Sequence, residues 1–283
     1  MTPEDFDLFA VMVKQRSGLV LTREKAYLLE SRLLPVARKN NLKSLEDMAQ
    51  AIRTTRSEAM MTDITEAMTT NETFFFRDTK PFDLFKKILL PILLASRAGR
   101  KQIRIWSAAS SSGQEAYSLA MICCEEAARL AGWKIDIIGT DLSHEVVERA
   151  KTGIYSQFEV QRGLPVAMLV KYFQQLSTDK WQIKENIRQM VQFREANLLQ
   201  DFGTIGTFDI IYCRNVLIYF DAPTKARVLE AMSKILAPDG TLILGGAETV
   251  LGISDKFKPM GIEHGLYVLS SYDVPASAKK ATA

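Results

Sequence analysis

The sequence predicts an α/β protein in two parts. A small all-helical N-terminal domain is followed by a mostly parallel, doubly wound sheet that carries a small antiparallel insertion. Three observations predict this. Over the first eighty or so residues apolar side chains recur at helical spacing, with no strand pattern. From Lys101 the order becomes apolar strand, small-residue turn, helix, strand, acid, which is one mononucleotide-binding half of a doubly wound sheet. Between Tyr155 and Gln192 the pattern breaks into short alternating runs before the sheet resumes.

The elements follow in order. Thr2-Pro3-Glu4-Asp5 opens a helix, with proline at the first helical position and acids in the first turn. Phe6, Phe9, Ala10 and Val13 give its apolar face, and Gly18 ends it. Thr22 opens a second helix, which Pro35 should kink or end. Ser44-Leu45-Glu46-Asp47 reads as another helix start. A fourth helix is expected over 57–68, and a linker helix over 79–95. These place the helical domain at 1–80 and the sheet domain at 81–270. Strands are expected at 102–109, 135–140, 191–196, 208–213 and 241–245, helices at 115–129, 143–151 and 223–236, and a closing hairpin at 257–270. The insertion covers about 155–192, and 271–283 reads as a frayed tail.

Composition narrows the function classes. Of the 283 residues, 47% are hydrophobic and 24% charged, which excludes a disordered chain or a fibre. The 36 basic residues against 33 acidic ones leave +3, too little for a general nucleic-acid binder. Cys123, Cys124 and Cys213 form no CxxC pair and read as reduced thiols. Two histidines, His144 and His264, make a zinc site or a Ser-His-Asp triad a poor fit. No signal peptide or membrane span is apparent, so a cytoplasmic protein is expected.

Four segments could carry chemistry. The turn from Trp106 to Glu115 is rich in small residues that let backbone approach a ligand, although a tight strand–helix turn would look the same. It lacks G-x-G-x-x-G, which disfavours a dinucleotide. Asp141, at a strand end, suits ribose hydroxyls or the cap of the next helix. Together these two favour a nucleoside without a pyrophosphate, and S-adenosylmethionine fits. In Thr70–Asp78, three phenylalanines sit between Asn71, Thr73 and Arg77. Core packing explains the rings but not the polar residues around them. In Cys213–Asp221, Asn215 could meet an adenine edge or a carboxylate. The Asp/Asn-Pro-Pro-Tyr/Phe ending of adenine methyltransferases is missing, which argues against base methylation.

Taken together, the segments Thr70–Asp78, Trp106–Glu115, Gly139–Asp141, Ala196–Leu199 and Cys213–Phe220 resemble, in order, the motifs of the CheR family of chemotaxis receptor methyltransferases. The likeness covers about Pro3 to Ser270. Ala116 departs from the family pattern, standing where many members have proline. The resemblance implies a Rossmann-like class I methyltransferase domain with a β-subdomain insertion. It implies S-adenosylmethionine as cofactor, S-adenosylhomocysteine as product and the glutamates of chemoreceptors as acceptors. Matched residue by residue, it implies cofactor contacts from Asn71, Thr73, Arg77, Glu115, Asp141, Asn197, Leu198, Asn215 and Val216. Arg77 and Tyr219 are the candidates for acting on the acceptor and lining the transfer pocket.

Partners follow partly from charge. Between Lys14 and Lys43 eight basic residues face Glu24 and Glu30, a local balance of +6. Arg23, Lys25, Arg32 and Arg38 are the candidates for meeting acidic receptor helices, as the resemblance implies. Some family members dock a receptor tether on the insertion through a longer, Gly-containing loop. Here Gln174–Lys180 is short and lacks glycine, so independence of the tether is expected, in a monomer that binds neither nucleic acid nor membrane. A silent ligand sensor of the same fold, or a methyltransferase for another protein, is the alternative.

Overall fold

The computed structural model describes residues 1–275. Part of the expected tail, 276–283, lies outside the described residues. Two compact units emerge: Met1–Thr70 with Tyr219–Lys225, and Asn71–Ile218 with 226 onward. The expected boundary at residue 80 therefore moves back ten residues. Phe75, Phe76 and Phe82 are buried in the core of the second unit, which draws that stretch into it.

The helical unit holds α1 (Pro3–Ser17), α2 (Ala26–Lys39), α3 (Leu45–Thr55) and α4 (Glu58–Met68). Thr2 and Asp5 form a reciprocal capping box at the start of α1, and Gly18 closes it in the left-handed conformation that glycine adopts without strain. Phe9, Val13, Leu29, Leu33, Met48 and Ile64 are fully buried between these helices. Of the two outcomes expected at Pro35, a kink or an end, the end is not seen, because α2 runs through it. It is exposed, so the carbonyl it leaves unbonded can turn to water. The short segment Tyr219–Lys225 joins this unit through the Val20 amide, which donates to the Tyr219 carbonyl at 3.0 Å, and the Lys14–Asp221 ion pair at 2.6 Å. Lys14 and then Thr224 hold the Asp221 carboxyl well below the usual range.

The second unit opens with α5 (Lys80–Leu84) and α6 (Leu90–Ser96). The expected linker helix over 79–95 forms as a helical run from Lys80 to Ser96 whose middle, Phe85–Leu89 just before Pro91, is π-helical. The sheet then forms from β1 (Gln102–Ala108), β2 (Lys134–Asp141), β6 (Val191–Glu195), β7 (Phe208–Cys213), β8 (Leu236–Leu244), β9 (Phe257–Pro259) and β10 (Leu266–Leu269), in the order β6-β2-β1-β7-β8-β10-β9. The first five neighbours in that order are parallel, and the β8-β10-β9 edge is antiparallel. Helices α7 (Gln114–Glu125), α8 (His144–Thr152) and α12 (Ala222–Ile235) punctuate it. Residues Pro238–Gly240, between the expected helix and strand, lie inside β8 at a register shift, with Phe208 opposite Leu236 but Ile210 opposite Thr241. Strand order reverses at β1 and β7, which puts the ligand crevice of such a sheet at their carboxyl ends.

The insertion is a three-stranded antiparallel sheet, β3 (Ile154–Ser156), β5 (Lys180–Ile183) and β4 (Phe173–Ser177), in the order β3-β5-β4. Short helices α9 (Gln157–Gln161), α10 (Val166–Tyr172) and α11 (Glu185–Arg188), which the sequence reading did not foresee, complete it. Among the described residues no helix is long and apolar enough to cross a membrane, and no acid–His–Cys cluster could hold a metal ion.

The thiols report on this core. Cys123 and Cys213 are buried and Cys124 is half-buried. Burial disfavours the thiolate and pushes the Cys123 thiol up to about 12 and Cys213 well above its ordinary value. At pH 8 only on the order of 10⁻⁴ of Cys123 is then thiolate. Titration with a thiol reagent in the native state should find Cys124 alone, reacting slowly, with the other two appearing only on unfolding. Three fast native thiols would contradict the packing.

Candidate cofactor site

The site is built where β1 and β2 end. Trp106 Nε1 donates to Thr140 Oγ1 at 2.9 Å, and the Ser110 amide to the Thr140 carbonyl at 2.8 Å, so the two strand ends are locked together. Beyond β1 the chain turns through left-handed backbone at Ala109 (φ 54°) and Ser111 (φ 50°). Gly113 (φ 94°) completes the turn, and a Cβ there would lie 2.8 Å from the Phe193 ring, so only glycine fits. Asp141 ties this loop to the next one. Its Oδ2 accepts the Ser111 amide at 2.8 Å and its Oδ1 the Ser143 amide at 3.1 Å. Its backbone carbonyl accepts the Ala196 amide at 2.9 Å, which brings Asn197 and buried Leu198 alongside. Asn197 Oδ1 accepts the Leu199 amide at 2.9 Å and shapes that turn.

A second wall is the extended segment 71–77. Ser111 Oγ donates to the Asn71 carbonyl at 2.7 Å. Arg77 Nη1 donates to the Glu72 carbonyl at 2.7 Å, and Ser118 Oγ accepts the Phe76 amide at 3.0 Å. Thr73 is half-buried between them.

Two groups that the sequence reading passed over hold these walls in place. Arg214, whose side chain is 1% exposed, donates to Glu115 Oε2 at 2.8 Å, to Asp78 Oδ2 at 2.6 Å and to the Arg77 carbonyl at 2.9 Å. Glu115 Oε1 also accepts from Ser107 Oγ at 2.8 Å. Buried Glu248 accepts the amides of Asn215 (2.8 Å), Val216 (2.9 Å), Leu217 (2.7 Å) and Gly245 (2.7 Å). That bond set holds Asn215 in left-handed backbone (φ 59°) at the end of β7. Arg214 was legible as a charge directly after a strand that is apolar apart from Asp209. Glu248 gave no signal in its Gly-Gly-Ala-Glu run, because its partners lie thirty residues away.

Of the sequence-predicted cofactor residues, Asn71, Thr73, Arg77, Glu115, Asp141, Asn197, Leu198, Asn215 and Val216 all belong to this unit. Tyr219 belongs to the helical unit, as do Arg23, Lys25, Arg32 and Arg38. Arg32 has a structural task there: its guanidinium donates to the carbonyls of Met68 and Thr69, both at 2.8 Å, at the end of α4. Arg23 pairs with Asp7 at 2.8 Å, and Lys14, Arg16 and Lys39 pair with Asp221, Glu58 and Asp63. Half of the eight basic residues between Lys14 and Lys43 are thus neutralised locally.

The donor set suits a nucleoside that carries an amino-acid tail. No side chain caps the start of α7, so its first amides are available to an anion or hydroxyl. The buried Ser110 hydroxyl has no hydrogen-bond partner among the described residues. A 390 Å³ cavity opens beside Asn215, lined also by Asp78, Lys80 and Gly246.

Comparison with known proteins decides the reading. The profile "CheR methyltransferase, SAM binding domain" matches residues 71–266, and "CheR methyltransferase, all-alpha domain" matches residues 4–69. The chain belongs to the CheR methyltransferase family. It is 38% identical over 268 residues to the chemotaxis protein methyltransferase of Vibrio anguillarum, covering 94% of this chain and 96% of that one. It is 40% identical over 265 residues to chemotaxis protein methyltransferase 1 of Pseudomonas aeruginosa, covering 93% and 96%. This CheR protein is therefore an S-adenosylmethionine-dependent methyltransferase of chemotaxis with a class I methyltransferase fold. When bound, the cofactor supplies an electrophilic methyl on a sulfonium whose leaving group is a neutral thioether.

Replacing Glu248 by Gln would turn one carboxylate oxygen into an NH₂ that faces amide donors. The expected cost is about 2–4 kcal/mol, because bonds to a charged acceptor are lost and at least two amides are left unpaired, whichever oxygen is replaced. Denaturant unfolding should show the loss, with weakened S-adenosylhomocysteine binding by calorimetry. Wild-type values for both would mean that Glu248 does not hold the site.

Proposed function

We propose that this CheR protein methylates glutamate side chains of chemoreceptors, forming methyl esters on acidic receptor helices. One observation carries the reading. The carboxylates around the site are all engaged by donors: Glu115 by Arg214 and Ser107, Asp78 by Arg214, Asp141 by two backbone amides and Glu248 by four. None stands ready as a general base. An acceptor that is already anionic needs none, and a glutamate, with a reference pKa of about 4.3, is ionised at neutral pH.

The chain's contribution is then orientation. The free amides of α7 and the walls at 71–77 and Asp141 hold the nucleoside and its tail. Arg77 steers a carboxylate, and Asn215 and Val216 set the edge where the acceptor enters. For Tyr219 the transfer-pocket role rests on the family resemblance alone. The acceptor helix docks on α2. There Tyr27 (66% exposed), Ser31, Leu34 (37%) and Arg38 recur at i, i+4, i+7 and i+11, with Lys25 beside them. Neither Lys25 nor Arg38 takes part in a local ion pair among those found, which leaves both for an acidic partner. β4 and β5 are joined by only Thr178 and Asp179. That short turn supports an enzyme that works without a receptor tether; that it is a monomer in the cytoplasm is proposed from the family resemblance alone.

Tritiated methyl transfer to receptor-containing membranes should give base-labile label on the receptor. Cofactor binding without label would point to another acceptor protein, and neither would favour a silent sensor. The labelling rate should be nearly flat between about pH 6 and 8, because an acceptor that is already ionised needs no base. A steep rise with pH would bring a base back. Arg77→Ala should lose roughly tenfold or more in rate with unchanged folding, and Arg38→Glu should raise KM for receptor without changing S-adenosylhomocysteine binding. A receptor C-terminal pentapeptide should not bind at micromolar concentration by calorimetry.

A further inference from the structure

We propose that Arg162, in the insertion, is a positioning residue for the cofactor segment 71–77, acting through Glu72 and Phe74. The inference deepens the reading above and rests on that segment holding the cofactor.

The segment has two sides. One is fixed by the sheet: Ser111, Ser118 and Arg214 bond Asn71, Phe76 and Arg77 at backbone atoms. The other is fixed wholly by the insertion. The Phe75 ring meets Tyr155 of β3 and Phe173 of β4 edge-on, with centroids 5.0 and 5.5 Å away. Gly163 (φ 81°) lies so close that a Cβ there would run into the Phe75 carbonyl oxygen. Its neighbour Arg162 does two things at once. Its Nη2 donates to Glu72 Oε1 at 2.6 Å, and its guanidinium lies 4.3 Å from the centroid of the Phe74 ring. Arg77 is 5.7 Å from the same ring centroid and donates to the Glu72 carbonyl. Both arginines therefore share Glu72 and Phe74 as partners. Arg162 holds the acidic side chain and the ring, and Arg77 uses the carbonyl and the ring.

The support for Arg162 comes from the body of the insertion. It directly follows α9, whose start is fixed by a capping box between Ser156 and Glu159. Arg149 of α8 pairs with Glu159 at 2.5 Å. The loop that carries Arg162 is thus anchored to the main sheet domain at its base. Arg162 itself makes no bond to the sheet, and its reach is toward the cofactor segment. Its exposure (42%, with Glu72 at 55%) makes the pair a modest contributor to folding, so its effect should fall on how the segment is posed.

The test uses the full chain and three variants, Arg162→Ala, Arg162→Lys and Glu72→Gln, with Asn71→Ala as a check on the segment. Three quantities are read: the Kd of S-adenosylhomocysteine by calorimetry, KM and kcat for S-adenosylmethionine, and the melting temperature. Arg162→Ala should raise Kd and KM roughly three- to tenfold. Its kcat at saturating cofactor and its melting temperature should stay near wild type. Arg162→Lys, which keeps the ion pair but not the planar stacking, should fall between. In the Glu72→Gln background Arg162→Ala should cost less than it does alone. An unchanged Kd in Arg162→Ala, or a loss seen only as lowered melting temperature, overturns the inference. If Asn71→Ala also leaves Kd unchanged, the segment's cofactor role fails first. If Asn71→Ala weakens binding and Arg162→Ala does not, the positioning role alone is wrong.

Discussion

The buried guanidinium of Arg214 is the contact on which the site depends. A planar cation with five donors can serve three acceptors that come from distant parts of the chain, which lysine could not do with the same geometry. Here the acceptors are Glu115 at the start of α7, Asp78 and the Arg77 carbonyl. A charge so buried is costly unless its partners are in place. The folded state therefore has a strong reason to bring the 71–78 segment, the β1–α7 turn and the end of β7 together in one arrangement. Glu248 does the complementary work with the opposite charge, gathering the amides of residues 215–217 and of Gly245.

Much of the architecture was legible in the sequence because local rules and the global fold agree. Thr2 with Pro3, Gly18 and Ser44 bound the helices they were read as bounding. The apolar run 208–213 is the fully buried central strand it looked like. Where the reading failed, a tertiary effect overrode a local one. Residues 71–80 leave the helical domain because three phenylalanine rings are worth more in the larger core. The helices of the insertion are each seven residues or fewer, too short to show a period.

The site was legible as a set of segments and illegible as a network. Asp141 was read as either a ribose partner or a helix cap; it bonds the Ser143 amide, as a cap would, and also the Ser111 amide of the facing loop. Arg77 was read as a candidate for acting on the acceptor; its guanidinium bonds the Glu72 main-chain carbonyl, while Asp78 goes to Arg214. Such pairings depend on which segments the topology brings together. Residue type and spacing along the chain do not encode that directly.

The backbone around the site has a further consequence. Non-glycine residues with left-handed φ are uncommon, and here Phe76, Asp78, Thr79, Ala109, Ser111 and Asn215 all adopt it in the three segments that surround the crevice. Each holds on the order of 1 kcal/mol of strain, which the bonds of Arg214, Glu248 and Asp141 to these segments offset. A ligand that binds only this arrangement would stabilise it by mass action, so the occupancy of the crevice and the stability of the loops around it are linked.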